Sequence, residues 1–148
     1  MLLVLKRNSE ELALEAARHV ANAVRRKPSI RLGLATGTTM LGMYRELVRY
    51  HREERLDFSA VATFNLDEYL GLSRSHTQSF HYFMRQNFFD HVNVSPANIH
   101  IPDGTITANY QQYCQSYEHA IRDAGGIEKH FQVAFEISPV AFAGHRDT

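Results

Sequence analysis

Apolar residues fall into short unbroken or alternating runs separated by longer stretches that repeat every three to four positions. The opening run Met1-Leu2-Leu3-Val4-Leu5 is continuous, which suits a strand covered on both faces, although so short a run does not by itself exclude a helix. The segment after it settles into helical spacing. Ala13, Ala16, Ala17, Val20, Ala21 and Val24 share one stripe, Asn8 and Ser9 offer N-cap oxygens, and Glu10 and Glu11 put negative charge in the first turn. The pattern predicts a helix from Ser9 to Arg26, with Arg25, Arg26 and Lys27 at its C-terminal end and Pro28 stopping it.

A strand is predicted over Ile30 to Ala35, followed by the small-residue turn Thr36-Gly37-Thr38-Thr39. Met40, Leu41, Tyr44, Leu47 and Val48 then mark one face of a helix running to Glu54. Ala60 to Phe64 reads as the next strand and ends in the polar cluster Asn65 to Tyr69. Beyond the loop Gly71 to Thr77, Phe80, Phe83, Met84 and Phe88 place a third helix over Ser79 to Phe89, and Asn98 to Ile101 is a short strand candidate. Thr107 to Ala124 is helical again, with Tyr110, Tyr113, Cys114, Tyr117, Ile121 and Ala124 on one stripe, so Cys114 is expected in the core; Gly125-Gly126 closes this helix. Phe131, Val133, Phe135 and Ile137 alternate with other residues as a last strand would, and Ser138 to Thr148 shows no clear pattern. Alternating strands and helices predict a three-layer α/β/α fold with a mostly parallel, Rossmann-like sheet. In such folds binding groups gather beyond the carboxyl ends of the strands.

Composition narrows the range of partners. At 148 residues the chain has room for about one domain, and 44% hydrophobic residues supply a core. Sixteen Lys and Arg against sixteen Asp and Glu give zero formal charge, which argues against a dedicated nucleic-acid binder. A single cysteine forms no intrachain disulfide and fits a reducing, cytoplasmic setting. No apolar stretch approaches the roughly 18 residues of a membrane span, and the first five residues are far shorter than a signal peptide. The nine histidines are scattered without metal-ligand spacing, so no metal is expected.

Two loops occupy the carboxyl ends of predicted strands. In Thr36-Gly37-Thr38-Thr39 a strand end meets a helix start, so unpaired amides and the positive helix end converge where an anion would sit, with three hydroxyls beside them. The spacing is neither that of a Walker A loop nor that of the dinucleotide fingerprint, and a sugar phosphate fits better than a nucleotide. Read alone, the same residues equally describe a turn glycine and a helix-capping threonine. The second loop carries adjacent carboxylates, Asp67 and Glu68. A partly buried carboxylate there can act as a general base beside a carbonyl, since desolvation raises its pKa; the plainer reading is a solvated acidic turn or a helix cap. His76, in the loop that follows, is placed to close over a ligand or simply to lie on the surface.

Leu32-Gly33-Leu34-Ala35-Thr36-Gly37, Thr63-Phe64-Asn65-Leu66-Asp67-Glu68-Tyr69-Leu70-Gly71-Leu72, Asn87-Phe88-Phe89-Asp90-His91 and Asn98-Ile99-His100-Ile101-Pro102-Asp103-Gly104 together resemble the glucosamine-6-phosphate deaminases. The resemblance runs from the first strand to about Ile127. It implies conversion of glucosamine 6-phosphate and water to fructose 6-phosphate and ammonia, by ring opening, isomerisation and loss of the amine, without a redox cofactor. It further implies that Asp67 is the base moving a proton between C2 and C1, and that Thr36, Gly37, Thr38 and Thr39 help hold the phosphate. No catalytic role transfers to Glu68. The expected partner is a small-molecule sugar phosphate, with no nucleic acid and no membrane; self-association into a homo-oligomer is left open. A 6-phosphogluconolactonase-like hydrolase and a non-catalytic sugar-phosphate binding remnant are the alternatives.

The chain also departs from the pattern. The family usually reads Thr-Gly-Gly/Ser-Thr-Pro in the first loop, so Thr38 sets a β-branched side chain where a small residue lets the backbone approach phosphate, and Met40 replaces a proline suited to a first helical turn. After Gly125-Gly126-Ile127 the family continues into Gly-x-Asp-Gly-His and Phe-Asn-Glu-Pro segments that supply the ring-opening His and its acidic partners. Neither motif is present, and Gly144-His145 is only a superficial echo. The expectation is therefore a sugar-phosphate isomerase/deaminase part over 1–127, a divergent tail over 128–148, and weak or absent activity from a truncated or frameshifted member.

Overall fold

The computed structural model describes residues 6–131. The expected strand over Met1 to Leu5, the alternating residues beyond Phe131 and the Gly144-His145 pair lie outside them. The first helix, α1 (Ser9–Arg26), has the bounds that the apolar spacing predicts. Its N-cap is Asn8, whose side-chain oxygen accepts from the Glu11 amide at 2.8 Å. β1 (Arg31–Leu34) leads through a 3-10 turn (Thr38–Met40) into α2 (Leu41–Glu54), and β2 (Ala62–Asn65) precedes α3 (Phe80–Asn87). β3 (Ile99–His100), α4 (Tyr110–Asp123) and β4 (Lys129–Phe131) complete the described part.

The four described strands form one parallel sheet in the order β3-β2-β1-β4. Leu32 pairs with Thr63 and Leu34 with Asn65, so these residues share one face of the sheet, while Gly33, Phe64 and His100 share the other. On the first face Leu32 and Leu34 join Val20 and Val24 of α1, Met43 and Leu47 of α2, and Met84 of α3 in one buried cluster. On the second face Phe64 stacks on His100 with ring centroids 4.4 Å apart and meets the edge of Tyr117 from α4 at 6.4 Å. Helices thus lie on both sides of the sheet, as the strand and helix alternation predicts.

The two sides are unequally covered. α1 buries six residues, whereas α4 buries none. Cys114, expected in the core from its place on the stripe, is exposed. The helical period is right, but the stripe it defines meets too little protein to cover it.

Candidate functional site

Residues immediately beyond β1 and β2 build the site. Because Leu34 pairs with Asn65, Thr36 and Asp67 each lie two residues past paired positions on neighbouring parallel strands. At the first loop Gly37 adopts φ +126°, a conformation side-chain-bearing residues rarely take, and open space surrounds the position a Cβ would occupy. Neither the Thr38–Met40 turn nor α2 carries a side-chain N-cap. The threonines therefore do not act as the helix caps that the loop's sequence alone allowed. Behind this loop the Tyr44 hydroxyl donates to the Ala35 carbonyl at 2.5 Å, and its ring stacks on Phe88 at 5.2 Å. A residue that spacing marks only as apolar thus anchors the entrance to the loop.

In the second loop the two carboxylates have different surroundings. Asp67 is exposed, whereas a partly buried carboxylate was expected of the general base. The buried carboxylate is Glu68, whose side chain is 2% exposed. It accepts from the backbone amides of Phe80 (2.8 Å), His81 (3.0 Å) and Tyr69 (2.9 Å), and its Oε2 lies 2.9 Å from His81 Nδ1. Burial pushes the Glu68 carboxyl up, but these hydrogen bonds outweigh burial and hold it below the usual range. With Ser79, whose hydroxyl accepts from the Tyr82 amide at 3.0 Å, Glu68 caps the N-terminus of α3. Of the readings open for this acidic pair, helix capping describes Glu68.

A third loop supports the second. The Gly71 amide donates to the Gly104 carbonyl at 2.7 Å, and a Cβ on Gly104 would lie 2.7 Å from the Leu72 carbonyl oxygen and closer still to that of Tyr69. Only a residue without a side chain admits this approach. Asp103 accepts from the amide and hydroxyl of Thr105, which hold its carboxyl below the ordinary range, and its own amide donates to the Tyr113 hydroxyl at 2.7 Å. The Tyr117 hydroxyl lies 2.7 Å from the Asn65 carbonyl and 3.0 Å from that of His100, and burial pushes this phenol's pKa up. Together these bonds fix the exit of β2.

Asp67 borders a cavity of about 430 Å³ walled by Leu66, Leu70, Pro102, Ile106 and the α4 residues Tyr110, Tyr113, Tyr117 and Ile121. Thr36 to Thr39 do not line it. The structure thus brings the two predicted loops to the same edge of the sheet but gives only Asp67 to the cavity. His76 lies outside it and is exposed, its Nδ1 accepting from the Gln78 amide at 3.1 Å. Among the described residues no three of His, Cys, Asp and Glu converge on a metal position. No helix there is long and apolar enough to cross a membrane.

Residues 6–136 match the model of the glucosamine-6-phosphate isomerases/6-phosphogluconolactonase family. The chain belongs to that family. Among curated relatives, glucosamine-6-phosphate deaminases of Thermoanaerobacter sp. (strain X514) and Clostridium perfringens (strain SM101 / Type A) are 48% and 47% identical over 128 residues, 86% of this chain. Those matches cover 50% and 52% of the relatives, so the chain spans about half their length. A solved structure of a monomeric glucosamine-6-phosphate deaminase superposes with TM-score 0.82 at 38% identity, over 86% of this chain and 53% of that one. A 6-phosphogluconolactonase from Thermotoga maritima superposes at 0.63 with 20% identity, covering 82% and 53%, and shares the fold.

Helix capping was open for the acidic pair without choosing between Asp67 and Glu68, and spacing alone missed the anchoring hydroxyls of Tyr44 and Tyr117. Ser79 at the start of an apolar helix was the further signal for where that cap acts. For the tyrosines the only signal was a polar tip on an otherwise apolar stripe.

Proposed function

We propose that the chain carries the general base and part of the phosphate site of a glucosamine-6-phosphate deaminase. In the ring-opened sugar, Asp67 takes the proton from C2 and returns it to C1. The resulting imine at C2 adds water and expels ammonia, leaving the ketone of fructose 6-phosphate. The amides and hydroxyls of Thr36, Gly37, Thr38 and Thr39 hold the phosphate at the start of α2. The reaction is a hydrolytic isomerisation without a redox cofactor, and a reducing cytoplasm is its setting. What carries this reading is the pairing of Leu34 with Asn65, which sets the uncapped Gly37 turn and Asp67 side by side beyond the sheet, in a chain 48% identical to a deaminase. An exposed carboxylate serves as a base once substrate and covering protein exclude water.

The test is ammonia release from glucosamine 6-phosphate by the purified chain and by Asp67→Asn. The expected result is slow release that the substitution abolishes, together with a rise in melting temperature on adding the sugar phosphate. Release that survives the substitution, or faster hydrolysis of 6-phosphogluconolactone, would overturn the assignment. Because the chain spans half its relatives' length, the second reading is sugar-phosphate binding without turnover. A shift in melting temperature with no ammonia would identify it.

A further inference from the structure

We propose that the cleft between α2 and the turn after α3 binds a small organic molecule by its phosphate group, at a site separate from the Thr36 to Thr39 loop. The cleft measures about 410 Å³, within the range of small-ligand pockets. Leu41, Arg45, Val48 and Arg52 reach it from α2 at spacings of three and four residues, so they share one stripe of that helix, and His91 faces them from the 3-10 turn Phe89–His91. Leu41 is 37% exposed and Val48 packs half-buried on the core, which makes an apolar floor beneath exposed guanidiniums. An apolar floor with a few charged groups above it suits a ligand that has both a body and a charge.

The sign of the charge identifies the ligand. A guanidinium only donates and a backbone carbonyl only accepts, so His91, with Arg52 Nη2 3.2 Å from its Nδ1 and the Gln86 carbonyl 2.8 Å from its Nε2, is the neutral Nε2–H tautomer. The imidazole thus orients Arg52 without neutralising it. Among the described residues Arg45 and Arg52 have no carboxylate partner, because the acids nearby are taken. Arg49 holds Glu46, Glu53 and Glu54 at 2.8, 3.2 and 3.3 Å, and Arg85 holds Asp90 at 3.2 Å. Two open guanidiniums match a phosphate, with a charge of about −1.5 to −2 near neutral pH, better than they match one carboxylate. A nucleic-acid backbone finds no basic track here, since the flanking Arg49 and Arg85 are already paired. Arg45 and Arg52 enter α2 roughly 6 and 16 Å along its axis from Leu41, so the site lies on the flank of the helix and not at its start.

The experiment titrates phenyl phosphate into the isotope-labelled full chain and follows the Leu41 and Val48 methyl and His91 ring resonances by NMR. These are expected to shift together and saturate, and Arg45→Gln/Arg52→Gln is expected to raise the Kd read from them by at least about tenfold. Both arginines are exposed, so this double variant should melt as the wild type does. Arg7→Gln/Arg26→Gln removes the same charge elsewhere and should leave the Kd within about twofold. Inorganic phosphate should bind more weakly, having no body to lie on Leu41 and Val48. Silent cleft resonances, an unchanged Kd in Arg45→Gln/Arg52→Gln, or inorganic phosphate binding as tightly as phenyl phosphate would each overturn the inference. Benzoate binding as tightly as phenyl phosphate would overturn the choice of phosphate. Shifts confined to the Thr36 to Thr39 amides would overturn this site and leave the deaminase reading standing.

Discussion

The carboxylate of Glu68 lies 2.9 Å from the Nδ1 of His81 and simultaneously accepts the Phe80 and His81 amides, so one buried side chain joins the end of β2 to the start of α3. Glu68→Ala leaves two helix-end amides without an acceptor and is expected to cost about 1–3 kcal/mol of stability, measured by urea unfolding. An Asp67→Asn comparison should fall within about 0.5 kcal/mol of wild type, because the side chain is exposed and makes no capping bonds.

Acid stability follows from the same carboxylate. Glu68 is held below its unfolded-state value, so its contribution is complete above that value and is lost as pH falls through the folded one. Asp103 and Glu128 shift in the same direction, Asp103 through the Thr105 amide and Glu128 chiefly through Lys27. Unfolding free energy should therefore decline with acidification below about pH 4.5, and Glu68→Gln should make that decline shallower. An unchanged slope in the variant would remove Glu68 from this account.

Gly37→Ala tests the first loop. The substitution forces a side-chain-bearing residue into a conformation that costs on the order of 1–3 kcal/mol. The strain is relieved by turning the amide, so binding of glucosamine 6-phosphate should weaken along with stability, read by calorimetry. A loss of stability with affinity intact would assign Gly37 to folding alone.

Gly104→Ala drives a methyl group against the Leu72 and Tyr69 carbonyls and should destabilise the protein by about 1–3 kcal/mol. Backbone is the obstacle, so no rotamer change absorbs it. Hydrogen exchange at the Gly71 amide, whose acceptor is the Gly104 carbonyl, should accelerate in this variant.

Much of the layered order was readable because it rests on local spacing. Val20, Val24, Leu47 and Met84 lie where helical periods put them, and Asn8 caps α1 as its side-chain chemistry predicts. The helix over Thr107 to Ala124 shortened to Tyr110–Asp123, preceded by Asn109 at φ +58°, a backbone choice that apolar spacing does not report. Cys114 failed for a different reason: periodicity tells which side of a helix is apolar but not whether anything lies opposite it. The site divided in the same way. The two loops were legible as strand ends, whereas the exchange of burial between Asp67 and Glu68 depends on α3, which enters twelve residues later in the chain.

One phenol has wider reach than its two bonds indicate. Tyr117 spans the backbones of β2 and β3, yet it belongs to α4, which buries none of its residues, whereas even the shorter α3 buries Met84. Opening that helix therefore needs little free energy compared with opening α1 or α2, and it would release the strand ends beside Asp67 while the cluster around Val20 and Leu47 stayed closed. The strand ends beside Asp67 and the core then open as separate units, and protection against exchange should fall in a step across the sheet from β1 to β3.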